Sequence, residues 1–307
     1  MTQSKVNGLL YAGVVVLFFT CGVANAMASC KMTGFKFSDS FLWGSAAAAH
    51  QVEGGNTNND WWQWEQAGKT REPSGAACDH YNRYDQDFAL AEQMEHNAHR
   101  LSIEWSRINP SADVFSAQEL LHYRKVLTAA RARGLKTFVT LHHFTNPIWV
   151  AERGGWENPE MLTWFNDYVA YVVPRLGDLV DFWITVNEPN VNTLGGYVVG
   201  IMPPGHKDIK QAGTVLAMWL KVHARAYRII HKYFPKAQVG FSHHMRAFAS
   251  ASWWNPLDNA AVKFIDKFWN QQLLDAIKTG KIDFNIPFVF SYTESWPELK
   301  GSMDYLG

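Results

Sequence analysis

From about residue 41 to residue 280, short apolar runs alternate with longer segments whose apolar residues recur every three or four positions. The short runs predict strands near Phe41 to Ala46, at Ala98 to Trp105, at Lys136 to His143, from Phe182 onward, and at Gln238 to His243. The periodic segments predict helices between them. One spans Asp79 to Met94, with Tyr81, Tyr84, Phe88 and Ala91 on a single face, and a second runs from about Ala117 to Arg133 and ends at Gly134. A third lies near Glu160 to Leu176 and a fourth at about Gln211 to Tyr233, stopped by Pro235. A fifth covers Val262 to Lys278 and ends at Gly280. Strand–helix alternation of this kind implies right-handed βαβ units around a parallel sheet, hence the α/β class. No repeat, low-complexity tract or linker interrupts it.

The run Phe182-Trp183-Ile184-Thr185-Val186-Asn187-Glu188-Pro189-Asn190 carries the most chemistry. A β-branched apolar stretch ends in Asn187-Glu188 and is stopped by Pro189, so a buried strand delivers a carboxylate to its C-terminal end. Parallel α/β barrels keep their chemistry at that end. A glutamate beside an amide suits proton transfer to a sugar oxygen, with the Asn holding a hydroxyl. An Asn-Glu-Pro on its own is equally a helix cap or a salt-bridged carboxylate at a strand–helix junction.

The motif is not on its own. Phe41-Leu42-Trp43-Gly44 leads into Ala49-His50-Gln51-Val52-Glu53-Gly54, and Asn97 to Ile108 and Val139-Thr140-Leu141-His142-His143-Phe144 come next in order. Together these resemble the family 1 glycoside hydrolases, the β-glucosidase and β-galactosidase group, over roughly residues 35 to 307. Gly54-Gly55-Asn56 and Asp60-Trp61-Trp62 resemble the prokaryotic branch. The resemblance implies a (β/α)8 TIM barrel of which this chain holds five strands and the first residues of a sixth, since Ser302 to Gly307 looks like the opening of strand six. It implies an exo-acting β-glycosidase that cleaves terminal β-D-glucosyl or galactosyl O-glycosides with retention and needs no cofactor or metal. Glu188 matches the family's acid/base, and Glu in place of the Gln of thioglucosidases favours O-glycosides. Gln51, His143 and Asn187 match residues that hold the sugar, and Arg100 matches the arginine beside the nucleophile. For Arg100 a barrel-floor salt bridge is the alternative. His143 is preferred over His142 because neighbours on a strand face opposite ways. Phe144 stands where many members carry Trp.

The nucleophile of the family lies in a Thr-Glu-Asn-Gly segment on strand seven, which these 307 residues do not contain. Phe288 to Ser295 also ends an apolar run in Thr293-Glu294, but it precedes the strand-six opening and lacks Asn-Gly. Glu294 is therefore expected in a loop, outside the chemistry. The polypeptide as written is expected to be catalytically silent, and a sugar-binding paralogue or a pseudogene product stay open beside the glycosidase.

Composition narrows the partners. Lys+Arg and Asp+Glu number 28 each, so no basic excess argues for nucleic acid or an anionic surface. Fourteen Trp and eleven Tyr are a heavy load, most of them expected in the core and some lining a sugar cleft, since sugar C–H faces stack on aromatic rings. Lys5, the apolar Leu9 to Phe19 and Ala24-Asn25-Ala26 predict a signal peptide over residues 1–26, with 27–307 as part of one barrel domain. That apolar run is short for a membrane span, and Phe19-Thr20-Cys21 is a poor lipidation site. Secretion or periplasmic export is expected if the signal is genuine, and a cytoplasmic protein with its start at Met27 or Met32 otherwise. Cys30 and Cys78 would then remain, either paired or as two thiols.

Overall fold

The computed structural model describes residues 36–307. The predicted signal peptide and Cys30 lie outside the described residues, and Cys78 is exposed. Residues 42–307 form one compact unit. Its elements are β1 (Gly44–Ala46), α1 (Ala49–Val52), α2 (Asp60–Gln66), α3 (His80–Gln93), β2 (Ala98–Ser102), α4 (Trp105–Ile108), α5 (Ala117–Ala132) and β3 (Lys136–His142). They continue as α6 (Ile148–Glu152), α7 (Met161–Leu176), β4 (Phe182–Asn187), α8 (Pro189–Thr193), α9 (Ile209–Tyr233) and β5 (Gln238–Ser242). The last are α10 (Pro256–Asp266), α11 (Gln272–Thr279), β6 (Lys281–Ile286), β7 (Phe290–Ser295) and β8 (Tyr305–Leu306).

Six strands pair in parallel in the order β1-β2-β3-β4-β5-β8, which is the sheet of an incomplete (β/α)8 barrel. The alternation of side chains sorts them between two environments. Leu101, Val139, Leu141, Trp183, Val239 and Phe241 are buried in the core with Phe165, Val169 and Val172 of α7 and Val215, Trp219 and Val222 of α9. On the concave side Phe138 stacks on Phe182 at 4.2 Å, with Tyr305 edge-on to Phe182. Trp105, Trp156, Trp183 and Trp219 are core, Trp61 lines a cavity, and Trp253 and Trp254 are exposed.

Local chemistry sets the helix starts. Ser116 accepts from the Glu119 amide to begin α5, Asn59 accepts from Trp62 to begin α2, and Asp208 accepts from Lys210 and Gln211 to begin α9. The strand predicted to reach Trp105 stops at Ser102, because Glu104 leaves the ladder to cap α4 through the Ser106 amide.

The expectation that Glu294 sits in a loop is corrected. Lys281–Ile286 and Phe290–Ser295 form an antiparallel hairpin apart from the barrel sheet, with Ile282 paired to Glu294. Ile282 and Phe284 point inward, and on the partner strand Phe290, Tyr292 and Glu294 are the less exposed positions. The hairpin lies against α9 at Gly213, where an added Cβ would meet the Phe290 ring at 2.1 Å. Glu294 spends its charge on Lys221 of α9 at 2.6 Å and accepts from Tyr292.

Candidate active site at the strand ends

The route of β4 explains how Glu188 is presented. Ile184 pairs with Gly240 and Asn187 with Ser242, so β4 carries one residue more than β5 across that interval. Such a bulge bends the strand and re-aims the side chains beyond it. Glu188 then takes a left-handed backbone conformation, with φ 44° and ψ 61°. For a non-glycine residue this costs on the order of 1–3 kcal/mol and persists only where the surroundings impose it. They do so here: the Glu188 amide donates to the Ser242 carbonyl at 2.8 Å, its carbonyl accepts from Val191 and Asn192, and Pro189 opens α8. The kink keeps the side chain out of the helix cap, and its carboxylate accepts no hydrogen bond from any described residue. The cap alternative for Asn-Glu-Pro is thereby removed.

Arg100 of β2 reaches across the concave face. Its Nε donates to Thr140 Oγ1 of β3 at 3.0 Å, Nη1 to Ser242 Oγ of β5 at 3.4 Å, and Nη2 to Asn187 Oδ1 of β4. Burial lowers its pKa, while Tyr305 and Glu188 act to hold the charge. All three acceptors are neutral. Among the described residues no carboxylate forms an ion pair with Arg100, so the salt-bridge alternative is not realised there.

His142 and His143 part company as strand alternation requires. His142 is buried among Trp105, Trp156, Phe165 and Trp219, and its Nε2 lies 3.0 Å from Asn146 Oδ1. His143 faces a cavity of about 380 Å³ shared with His50, Gln51, Trp61, Glu65 and Phe144. Burial, reinforced by the Arg100 charge, depresses its pKa to about 3, so the imidazole is neutral and offers one donor and one acceptor. Phe144 sits edge-on to His143 at 5.1 Å with φ 72°, a second strained residue at a strand end. Gln51, on α1, is exposed to the same cavity.

The structure thus gathers Gln51 and His143 around one cavity, and brings Arg100, from the middle of β2, across β3 to Asn187 at the end of β4, next to Glu188. It also brings in three residues that the motifs did not single out. Trp61 and Glu65 lie one helical turn apart on α2, and His50 bonds Glu65 at 2.9 Å. Burial opposes ionisation of Glu65, but the amide and hydroxyl of Ser74 and the His50 contact outweigh it and lower its pKa. The i, i+4 spacing of Trp61 and Glu65 was the available signal.

Among the described residues no cluster of side chains is arranged to hold a metal, and no helix is long and apolar enough to cross a membrane.

Comparison with known proteins places this geometry. A β-glycosidase from Pyrococcus horikoshii superposes with a TM-score of 0.81 at 36% identity, covering 89% of this chain and 62% of that one. β-Glucosidase A of Thermotoga maritima is 31% identical over 288 residues, which are 89% of this chain and 64% of the relative. A β-galactosidase of Pyrococcus woesei is 30% identical, covering 88% of this chain and 66% of the relative. The chain therefore spans just under two thirds of the length of these relatives. The family model described as Glycosyl hydrolase family 1 matches residues 34–300, and the chain belongs to that family.

Proposed function

We propose that this chain supplies the acid/base and much of the sugar-binding half of a retaining β-glycosidase acting on terminal β-D-glucosyl or β-D-galactosyl O-glycosides. Glu188 would protonate the glycosidic oxygen as a second carboxylate attacks the anomeric carbon and forms a glycosyl ester. It would then take a proton from the water that displaces that ester. The attacking carboxylate belongs to the Thr-Glu-Asn-Gly segment of the family, which is not among these residues. Gln51, His143 and Asn187 would hold sugar hydroxyls, and Arg100 would keep the attacking carboxylate ionised.

The observation that carries the proposal is the carboxylate of Glu188, held by a bulge and a strained backbone at a barrel strand end and left without a hydrogen bond among the described residues. The buried carboxylates of Glu53 and Glu104, by contrast, are taken up by Arg107, Tyr123, Ser106 and Thr145, and Glu294 by Lys221. The Arg100 guanidinium, without a carboxylate partner among the described residues, supports the same conclusion, since a largely enclosed charge of this kind is rarely left unpaired.

The test is Glu188→Ala in the protein that carries this chain. Hydrolysis of alkyl glycosides should be lost, while activated aryl glycosides, which need little protonation, should still glycosylate the enzyme. Added azide should restore turnover and give a β-glycosyl azide. A covalent glycosyl ester trapped on Glu188 itself would overturn the assignment.

A further inference from the structure

A buried chain of hydrogen bonds joins the turn just after α1, which carries Gln51, to the loop that carries His143. Glu53 lies two residues after Gln51, and its carboxylate is buried, 5% exposed. Its Oε1 accepts from the Tyr123 hydroxyl at 2.9 Å, and its Oε2 accepts from Arg107 Nε at 2.8 Å. Arg107 Nη2 also donates to the Gly54 carbonyl at 2.7 Å, so the turn beyond Gln51 is held from both sides. The Tyr123 oxygen in turn accepts from the Glu104 amide at 3.1 Å. The Glu104 carboxylate, 2% exposed, accepts from Thr145 Oγ1 at 3.0 and 3.1 Å and from Ser106 Oγ at 2.7 Å. Thr145 lies two residues after His143.

We infer that Tyr123, Glu53, Glu104 and Thr145 form a clamp that sets the spacing of Gln51 and His143, and that they are positioning residues for the sugar site. The inference rests on the assignment of Gln51 and His143 to sugar binding. Each anchor stands two residues from the side chain it serves. The intermediate, Tyr123, belongs to α5, outside the barrel sheet, so the clamp braces the end of α1 and the loop after β3 against the helix layer. Each buried polar group along the chain has a partner, the Glu104 backbone amide linking the Tyr123 hydroxyl to the residue whose carboxylate takes Thr145, which is how a buried polar network gains a single geometry. A displacement of about 1 Å at a binding group is enough to cost on the order of tenfold or more in affinity or rate.

Tyr123→Phe removes one hydroxyl and leaves the ring in place. Thr145→Val removes the donor at the far end. The probe is glucoimidazole, which binds the Thermotoga maritima β-glucosidase, measured by calorimetry on folded protein. Each single variant should weaken binding about tenfold, and the double variant should be no weaker than either, because either break opens the same clamp. Val126→Ala, on the same face of α5 and buried, serves as the stability control and should bind as the unaltered chain does.

Additive losses in the double variant, or unchanged affinity in Tyr123→Phe, would overturn the clamp. Gln51→Ala separates the clamp from the sugar site it serves. If it loses binding while Tyr123→Phe keeps it, only the clamp falls. If Gln51→Ala binds normally, or the unaltered chain does not bind, the assignment of the sugar site falls and the clamp with it.

Discussion

At the scale of single residues, adjacent histidines show how far a sequence can be taken without coordinates. Strand alternation alone separates His142 from His143, and the structure places them on opposite faces of β3. Their chemistry then diverges through environment. The His142 ring is enclosed by four aromatic residues and bonded to Asn146, which in turn donates to both oxygens of the Asp60 carboxylate through its amide and side chain. His142→Ala should therefore act on stability, with a loss of about 3 kcal/mol from the emptied space among the four aromatic rings, while Asn146 Oδ1 keeps the Trp156 Nε1 donor. His143→Ala should unfold at nearly the same urea concentration as the unaltered chain, yet weaken glucoimidazole binding. The reverse pattern, a stable His142 variant and an unstable His143 variant, would show that the strand faces the other way. The pairing of Glu53 with Arg107 and Tyr123 was not legible in this manner. It joins residues 54 and 70 positions apart, and nothing in the spacing of an isolated Glu names its partner.

At the scale of elements, the strands and helices read from apolar periodicity agree with the structure to within a residue or two where a Gly, a Pro or a cap marks the boundary. Disagreement concentrates where polar side chains take the backbone elsewhere. Glu104 ends β2 early, and Asn255 starts α10 at Pro256, six residues before the predicted helix, by accepting from the Leu257 amide. The hairpin of β6 and β7 was missed although Ile282, Phe284 and Ile286 alternate across it, because the short connection at Pro287-Phe288-Val289 lacks the usual Asn-Gly or Asp-Gly turn. The opening of strand six was legible, and its docking is tight. Tyr305 donates to the Trp183 carbonyl at 3.0 Å, and Asp304 accepts from the Val239 amide at 2.9 Å. Gly240 makes this possible, since an added Cβ there would lie 2.2 Å from the Tyr305 carbonyl oxygen. Gly240→Ala should force β5 and β8 apart and cost about 2–3 kcal/mol in urea denaturation. Unchanged stability would mean that β8 does not pair with β5 in solution.

At the scale of the whole molecule, ordered motifs made the barrel legible, but its proton balance depends on burial that only the assembled fold creates. Burial depresses His99, His122, His142 and His223 to about 4 and His143 to about 3, so all five stay neutral in the folded chain at mildly acid pH. In the unfolded chain they bind protons below about 6.5, and stability from these groups is lost as pH falls from there toward 4. Glu53 and Asp60 act in the opposite sense. Burial raises each to about 7, so over the same window the folded chain holds protons that the unfolded chain has released, and their contribution is lost as pH rises. Five histidines against two carboxyls leave the unfolded state with the larger proton uptake. The urea midpoint should therefore fall steadily as pH is lowered from 7 to 4.5. Glu53→Gln should steepen that fall, because it removes one of the two opposing groups while leaving an acceptor for Tyr123. A midpoint that stayed flat or rose toward acid would mean that these histidines are protonated in the folded barrel, and that His143 in particular meets its ligand as a cation.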